Sequence, residues 1–216
     1  MNSYCLICHK DIRHQGDFWE MFYVDDCICH KCRSQLIYHP ISIKLDGLSI
    51  EGLYLYQDLM RQLLIQFKEY HDEALFPLFL YRQGKDIARK YRGYSMMYLP
   101  SSRESIRQRG FQPVQKIFSL VDLPVVDGFY KKSDSDQKSR PYRQREKIAA
   151  QIALKKDSAV SGKKILLVDD IITSGATMLA AYRLIRDQAK EVKGLCVSYN
   201  HRFMQKRDVF FTNVFR

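Results

Sequence analysis

The chain has 216 residues, of which 46% are hydrophobic and 12% aromatic, a composition that favours a folded core over a disordered chain. Its formal net charge of +11 favours an anionic partner, such as nucleic acid, a phosphorylated metabolite or a membrane surface. A contribution to solubility alone is the alternative. The sequence has no run of about 18 apolar residues and no secretory pattern at its start, so we expect a cytoplasmic protein without membrane insertion.

The first predicted unit, residues 1–38, is a small zinc-binding domain. Five of the six cysteines lie between residues 5 and 32, and clustered cysteines in a reducing cytosol are typical metal ligands. The pairs "CLIC" and "CHKC" match zinc-ribbon spacing and predict four ligands to one ion: Cys5, Cys8, Cys29 and Cys32. The zinc would be structural, because so short a segment cannot fold on core burial alone. Cys27 has no assigned role, and His9 and His30 stay open as substitute ligands.

Alternating strand and helix patterns predict a second unit, residues 45–216, built around a parallel sheet with crossover helices. Its first helix has apolar residues at helical spacing, namely Leu59, Leu63, Leu64 and Phe67. The predicted segments, in chain order, are a strand and helix in 52–70, a helix in 74–92, a strand in 94–102, a helix in 114–123, a strand in 125–132, a long polar loop running into a helix in 145–154, a strand in 162–170, a helix in 176–188 and a strand in 193–200.

The most informative stretch is "ILLVDDIITSGATM", residues 165–178, in which an aliphatic run meets two adjacent acids. The run "ILLV" is typical of a buried parallel strand, and ligands of such sheets bind at the carboxyl ends of the strands. We therefore expect Asp169 and Asp170 to face that crevice, at the point where the strand frays into a loop. Carboxylates there suit the hydroxyl groups of a sugar or a hydrated magnesium ion.

The loop after the acids offers groups that suit a phosphate. Gly175 allows the backbone to approach a ligand closely, and the helix that follows from Ala176 presents its positive dipole end. Hydroxyl donors come from Thr173, Ser174 and Thr177. Next to two acids, this loop predicts a site for ribose 5-phosphate. An ordinary loop with one hydroxyl as helix cap is the alternative; a phosphatase or receiver domain requires a nucleophilic aspartate arrangement that we do not find.

This stretch resembles the phosphoribosyl pyrophosphate (PRPP) signature of type I phosphoribosyltransferases. Together with the four cysteines and with "LPSSRESIRQRGF" at 99–111, it makes the chain similar to the ComF family, which acts in the competence of naturally transformable bacteria. The resemblance extends from the zinc ribbon to the last predicted strand. It implies an α/β fold: a type I phosphoribosyltransferase-like parallel sheet flanked by helices, preceded by a small four-cysteine zinc-binding domain. The chain has Gln112-Pro113 where the family usually has Asn-Gln.

The resemblance also implies roles for individual residues. The two acids would bind the ribose hydroxyls and the loop the 5-phosphate, which gives a PRPP-binding set of Asp169, Asp170, Thr173, Ser174, Gly175, Ala176 and Thr177. The loop at 100–103 would hold pyrophosphate with magnesium. Candidates for contacts to pyrophosphate or DNA are Ser101, Ser102, Arg103, Arg107 and Arg109; solvated surface arginines are the alternative. The segment 131–145 takes the place of the family's lid.

The middle of the chain is strongly basic. From Arg82 to Lys147 there are 16 Lys or Arg and 7 Asp or Glu, with tyrosines and phenylalanines in between. Cations with interspersed aromatic rings suit single-stranded DNA, although aromatic residues at such spacing are also common in cores.

Two functions stay open. The first is a competence protein required for natural transformation, which binds PRPP or a related nucleotide with magnesium and handles single-stranded DNA beside a helicase-type partner. Such a protein would be cytoplasmic, or held at the membrane by partners in DNA uptake. The second is an active phosphoribosyltransferase with an unknown nitrogenous acceptor. The sequence contains the donor half of that site and no recognisable acceptor pocket, which favours the first function.

Overall fold

A six-stranded sheet lies at the centre of the protein. The computed structural model describes residues 4–12, 26–132, 152–200 and 209–211. The strands are β1 (Tyr38–Leu45), β2 (Leu48–Leu55), β3 (Tyr94–Tyr98), β4 (Phe129–Lys131), β5 (Ile152–Leu154), β6 (Lys164–Ile172), β7 (Glu191–Tyr199) and β8 (Val209–Phe211). The order in the large sheet is β3-β6-β7-β2-β1-β8, and β4 pairs with β5 in a separate ribbon.

Four neighbouring strands, β3, β6, β7 and β2, run parallel, whereas β1 and β8 add an antiparallel edge. The side chains of Ile165, Leu166, Leu167 and Val168 in β6 are all buried. Burial on both faces is what a central strand of a parallel sheet requires, and it explains the unbroken aliphatic run. The predicted α/β fold with a parallel sheet is therefore confirmed, and the antiparallel edge extends it.

Helices connect the strands and cover the sheet. They are α1 (His30–Arg33), α2 (Asp58–Glu69), α3 (Phe76–Leu80), α4 (Gly84–Lys90), α5 (Arg103–Arg109), α6 (Pro113–Phe118) and α7 (Ala176–Ile185), with a 3-10 turn at Glu73–Leu75. In α2 the buried face consists of Met60, Leu63, Leu64 and Phe67, so Met60 takes the place predicted for Leu59. No helix among the described residues is long and apolar enough to cross a membrane.

The helix predicted over 74–92 is broken into three pieces. The chain turns between α3 and α4, which brings Gly84 against the backbone of the segment after α6. A Cβ atom at Gly84 would lie 2.5 Å from the carbonyl oxygen of Leu120, so only glycine fits this approach. The prediction of a single long helix was therefore wrong, because tertiary packing interrupts the helical pattern.

The helix predicted over 145–154 is also wrong where the structure describes it. Ile152–Leu154 form β5, which pairs antiparallel with β4 so that Phe129 lies opposite Leu154. The rest of that stretch lies outside the described residues. Ile152 is buried in the core, and this long-range packing outweighs the helix propensity of the alanine-rich sequence before it.

The cysteine-rich segment packs on the same core as the helices of the larger unit. Cys5 and Cys29 belong to a buried cluster that also contains Phe67 of α2 and Phe79 of α3. Between the two predicted units, β1 begins at Tyr38 and pairs with β2, so the stretch between residues 38 and 45 is part of the sheet. The unit boundaries themselves stay predictions.

Candidate functional site

Four cysteine thiols converge at the start of the chain, as the spacing predicted. The Sγ atoms of Cys5, Cys8, Cys29 and Cys32 all lie within 4.8 Å of one another, and those of Cys8 and Cys29 are 3.7 Å apart. Zinc–sulfur bonds of about 2.3 Å in a tetrahedron place sulfur atoms roughly 3.8 Å apart. Both the donor set and the spacing therefore fit a structural zinc ion.

Local hydrogen bonds form the two turns that carry these thiols. The amide of Cys5 donates to the carbonyl of Lys10 at 2.8 Å, and the amide of His9 donates to the carbonyl of Cys5 at 2.9 Å. His9 adopts a φ of 57°, which tightens the first turn. In the second turn, the amide of Arg33 donates to the carbonyl of Cys29 at 2.9 Å, and α1 carries Cys32.

Cys27 is the surplus cysteine whose role the sequence left open. It is buried, and it does not belong to the four-thiol cluster. Burial, reinforced by the charge of Asp26, raises the pKa of Cys27 to about 12. Cys27 is thus a neutral packing residue at neutral pH.

An ion-pair network that the sequence did not reveal joins the cysteine cluster to the helices. The Arg33 guanidinium donates to both Asp26 carboxylate oxygens, at 2.6 and 2.9 Å, and to the carbonyl of Leu78 in α3 at 3.1 Å. Arg82 adds a second contact to Asp26 at 3.2 Å. Because Asp26 directly precedes the second cysteine turn, the network fixes that turn against α3.

The two predicted acids lie in β6, and the strand continues past them. Asp169 pairs with Cys196 of β7, and β6 ends only at Ile172. The strand therefore does not fray at the acids, as the sequence suggested, but two residues later. Asp169 is half-buried and Asp170 is buried, so both carboxylates sit in a protected position near the carboxyl edge of the sheet, where β3, β6 and β7 end.

Burial changes the protonation of Asp169. Desolvation, followed by the neighbouring Asp170 carboxylate, raises the pKa of Asp169 to about 8. Lys68 opposes this effect, because its ammonium lies 2.6 Å from Asp170 Oδ1. The amide of Asp170 also donates to Asp169 Oδ1 at 2.9 Å, which stabilises the ionised form of Asp169.

The predicted phosphate loop occupies the turn from β6 into α7. Thr173 and Ser174 are exposed, and Gly175 has a φ of 74°, a left-handed conformation that favours glycine. The hydroxyl of Ser174 accepts a hydrogen bond from the amide of Ala176 at 3.3 Å. Thr177 lies in the first turn of α7. The five residues of the predicted phosphate loop, 173–177, are thus consecutive at the start of this helix and follow the two acids closely in the sequence.

The predicted pyrophosphate loop lies beside the acids, at the end of the neighbouring strand. The amide of Leu99 donates to the carbonyl of Val168 at 3.1 Å. The loop that contains Ser101 and Arg103 therefore starts at the same height in the sheet as the two acids, which follow Val168 in β6. The hydroxyl of Ser102 accepts from the amide of Ser105 at 3.1 Å and thereby caps α5. This hydroxyl has a structural function that the sequence did not assign.

The two other candidate arginines have different surroundings. Arg107 is exposed. The Nε atom of Arg109 donates to the carbonyl of Lys68 at 2.9 Å, and its Nη2 atom donates to Glu69 at 2.8 Å. Arg109 therefore ties α5 to the end of α2, directly at the lysine that pairs with Asp170.

A cavity of about 390 Å³ adjoins the pyrophosphate loop. It lies between the end of β3, helices α5 and α6, and the ribbon formed by β4 and β5. Its polar lining includes Tyr98, Ser101, Gln112, Gln115, Lys131 and Lys155. Among the described residues, the acids and the phosphate loop do not line this cavity, so Ser101 alone of the predicted site residues contacts it.

Lys68 is the site residue that the sequence analysis missed. The sequence feature that could have indicated Lys68 is its position next to Phe67, at the border of the apolar face of α2. Replacing Lys68 with methionine leaves the buried Asp170 carboxylate without its counter-ion, and we expect a loss of about 3 kcal/mol in the free energy of unfolding at pH 8. Urea denaturation measures this loss.

The matched control for Lys68→Met is Lys116→Met, which breaks a pair with Glu73 at 2.5 Å. Both partners of that pair are considerably exposed, so its removal costs less than about 1 kcal/mol. Lys68→Arg keeps the charge and should restore most of the stability. Equal losses of unfolding free energy in the two methionine variants would show that the Lys68–Asp170 pair stabilises the protein no more than the exposed Lys116–Glu73 pair does.

Several known proteins and one family model are similar to this chain. The family model described as "Phosphoribosyl transferase domain" matches residues 105–215. The competence protein ComFC of Streptococcus pneumoniae is 24% identical over 88% of this chain and 96% of its own length. ComFC of Bacillus subtilis is 22% identical over 86% of this chain and 90% of its own length. An adenine phosphoribosyltransferase structure from Rhodothermus marinus has a TM-score of 0.34 and 17% identity over 57% of this chain and 76% of that one.

Proposed function

Since the chain belongs to the phosphoribosyl transferase domain family, we propose that it binds PRPP or a related nucleotide at the carboxyl edge of the sheet. The observation that carries this proposal is the continuous arrangement of two protected acids, a glycine-containing loop and the N-terminus of α7. The acids suit the ribose hydroxyls, and the loop amides suit the 5-phosphate.

Magnesium fits the same place by the chemistry of its donors. The carboxylates of Asp169 and Asp170 and the nearby hydroxyl groups are oxygen ligands of the kind that magnesium prefers. The ion would neutralise the charge of the pyrophosphate when it is bound. Lys68 holds the carboxylate of Asp170 in place. Deprotonation of Asp169, whose pKa is raised, makes a second anionic ligand available as the pH rises.

Similarity to two ComFC proteins over nearly the whole chain supports a role in natural transformation. In that role the protein would handle incoming single-stranded DNA beside a helicase-type partner protein. The net charge of +11 supports a polyanionic partner. The four-thiol cluster would hold zinc as a structural ion, because its sulfur atoms already lie close together and are fixed to the helices through Arg33.

Calorimetric titration of magnesium-PRPP tests the nucleotide site. We expect saturable binding by the wild type and at least a tenfold loss of affinity in the double variant Asp169→Asn/Asp170→Asn. The substitutions keep the shape of the side chains and replace one carboxylate oxygen of each acid, an acceptor for the ribose hydroxyls and a ligand for the metal, by an amide nitrogen.

Asp187→Asn is the matched control, since its carboxylate is 85% exposed and follows α7, remote from the acids. Its titration should equal that of the wild type. Unchanged binding in the double variant would refute the assignment of the acids, whereas absent binding by the folded wild type would refute PRPP as the ligand.

A further inference from the structure

An exposed basic residue lies one or two positions before each of three neighbouring parallel strands. Arg92 precedes β3, Lys163 precedes β6 and Lys190 precedes β7. Parallel strands start at the same edge of a sheet and lie about 4.8 Å apart, so the backbone positions of these three residues form a row roughly 10 Å long. The amide of Lys190 donates to the carbonyl of Lys163 at 2.8 Å, which holds two of the turns together. We call this row the amino edge.

The acids near the amino edge are already paired with other lysines. Glu191 contacts Lys164 at 3.0 Å and Lys193 at 3.4 Å, and Glu51 contacts Lys90 at 2.6 Å. Among the described residues, the three cations of the amino edge have no acidic partner. The amino edge therefore carries uncompensated positive charge toward solvent.

The aromatic residue at this edge is covered. Tyr94 is buried, and the ammonium groups of Lys164 and Lys193 lie 5.4 and 5.5 Å from the centre of its ring. The ring is thus occupied by cations rather than free to stack on a base. The amino edge offers charge for phosphates and no stacking platform for bases.

The amino edge lies far from the proposed nucleotide site. Strand β6 runs from Lys164 to Ile172, and eight steps of about 3.3 Å separate its ends by roughly 26 Å. Charges in water are screened over about 10 Å at 0.1 M salt. Occupation of one edge therefore has little direct electrostatic effect on the other.

We propose that the amino edge, formed by Arg92, Lys163 and Lys190, binds the backbone phosphates of single-stranded DNA independently of the nucleotide site. This inference rests on the proposed role in DNA handling and assigns it a surface. At the carboxyl edge, by contrast, Arg109 is engaged by α2 and is a poor DNA contact in this structure. Because phosphates alone are contacted, binding at the amino edge has little base preference.

Fluorescence anisotropy with a labelled 30-nucleotide oligothymidine tests the surface, using the full chain. We expect the triple variant Arg92→Ala/Lys163→Ala/Lys190→Ala to bind at least tenfold more weakly at 0.1 M salt. The slope of log affinity against log salt should fall by about 2, because each lost contact to a single strand removes about 0.7. Titration with magnesium-PRPP should be unchanged in this variant.

A second triple variant, Arg61→Ala/Lys85→Ala/Lys156→Ala, removes the same number of exposed charges elsewhere. It should stay within about twofold of the wild type. Equal weakening in both variants, or weakening only in the second, overturns the amino edge as the binding surface. Unchanged affinity of the first triple variant for the oligothymidine likewise overturns the amino edge as the binding surface. If the wild type binds no DNA, the proposed role in DNA handling is itself overturned. The calorimetric titration with magnesium-PRPP tests the nucleotide site independently of this result.

Discussion

Replacing Cys29 with serine should abolish zinc binding by the four-thiol cluster and unfold the protein. A structural zinc site of this kind contributes about 10–16 kcal/mol in small domains at neutral pH, which equals or exceeds the whole stability of a typical domain. Cys29 is buried in the same core as Phe67 and Phe79, so losing the metal also disturbs the packing of α2 and α3. Metal analysis should find about one zinc per wild-type chain, and Cys29→Ser should be insoluble or unfolded by circular dichroism.

Cys27→Ser provides the matched control for this result. The substitution is chemically identical and lies two residues away, but Cys27 is outside the four-thiol cluster. It buries a hydroxyl in place of a thiol, which costs about 1–3 kcal/mol, and it should leave the zinc content unchanged. Soluble, cooperatively folded Cys29→Ser protein without zinc would contradict the structural role of the metal.

Replacing Asp169 with asparagine should make the protein more stable at alkaline pH while it weakens the nucleotide site. The folded protein raises the pKa of Asp169 to about 8, above the value of about 3.9 in an unfolded chain. Between these two values the native state binds more protons than the unfolded state, so the free energy of unfolding of the wild type falls as pH rises. Asparagine does not ionise and therefore avoids this loss.

Urea denaturation at pH 6 and pH 8 measures the effect. The stability advantage of Asp169→Asn over the wild type should grow by roughly 2 kcal/mol between these pH values, because each pH unit corresponds to about 1.4 kcal/mol for one proton. Asp187→Asn, at an exposed carboxylate, should show no such growth. A constant difference across the range would mean that Asp169 ionises normally.

Short-range patterns in the sequence predicted much of the site. The aliphatic run of β6, the glycine at the turn and the helix from Ala176 follow from local propensity, and the structure contains all three. The cysteine spacing predicted the cluster because CxxC turns are local as well. Strand β1 was not predicted, although alternate residues in its second half are buried.

The features that sequence reasoning missed depend on distant contacts. Lys68 meets Asp170 only because α2 packs beside β6, about a hundred residues further along the chain. The break in the long helix depends on Leu120, which approaches Gly84 in the folded state. Strand β5 replaces a helix because β4 offers it a pairing partner. In each case, tertiary packing outweighs local propensity.

The position of β2 in the sheet has a consequence for how the chain is made. Ser49 in β2 lies opposite Lys193 in β7, so one side of β2 has no neighbour until nearly the whole chain has been synthesised. At about 5–20 residues per second, a ribosome needs roughly 7 to 30 seconds to cover that interval. The cysteine cluster, by contrast, can assemble as soon as Cys32 leaves the exit tunnel. During translation the growing chain thus exposes an unpaired strand edge, the kind of surface on which chaperones act and from which aggregation starts.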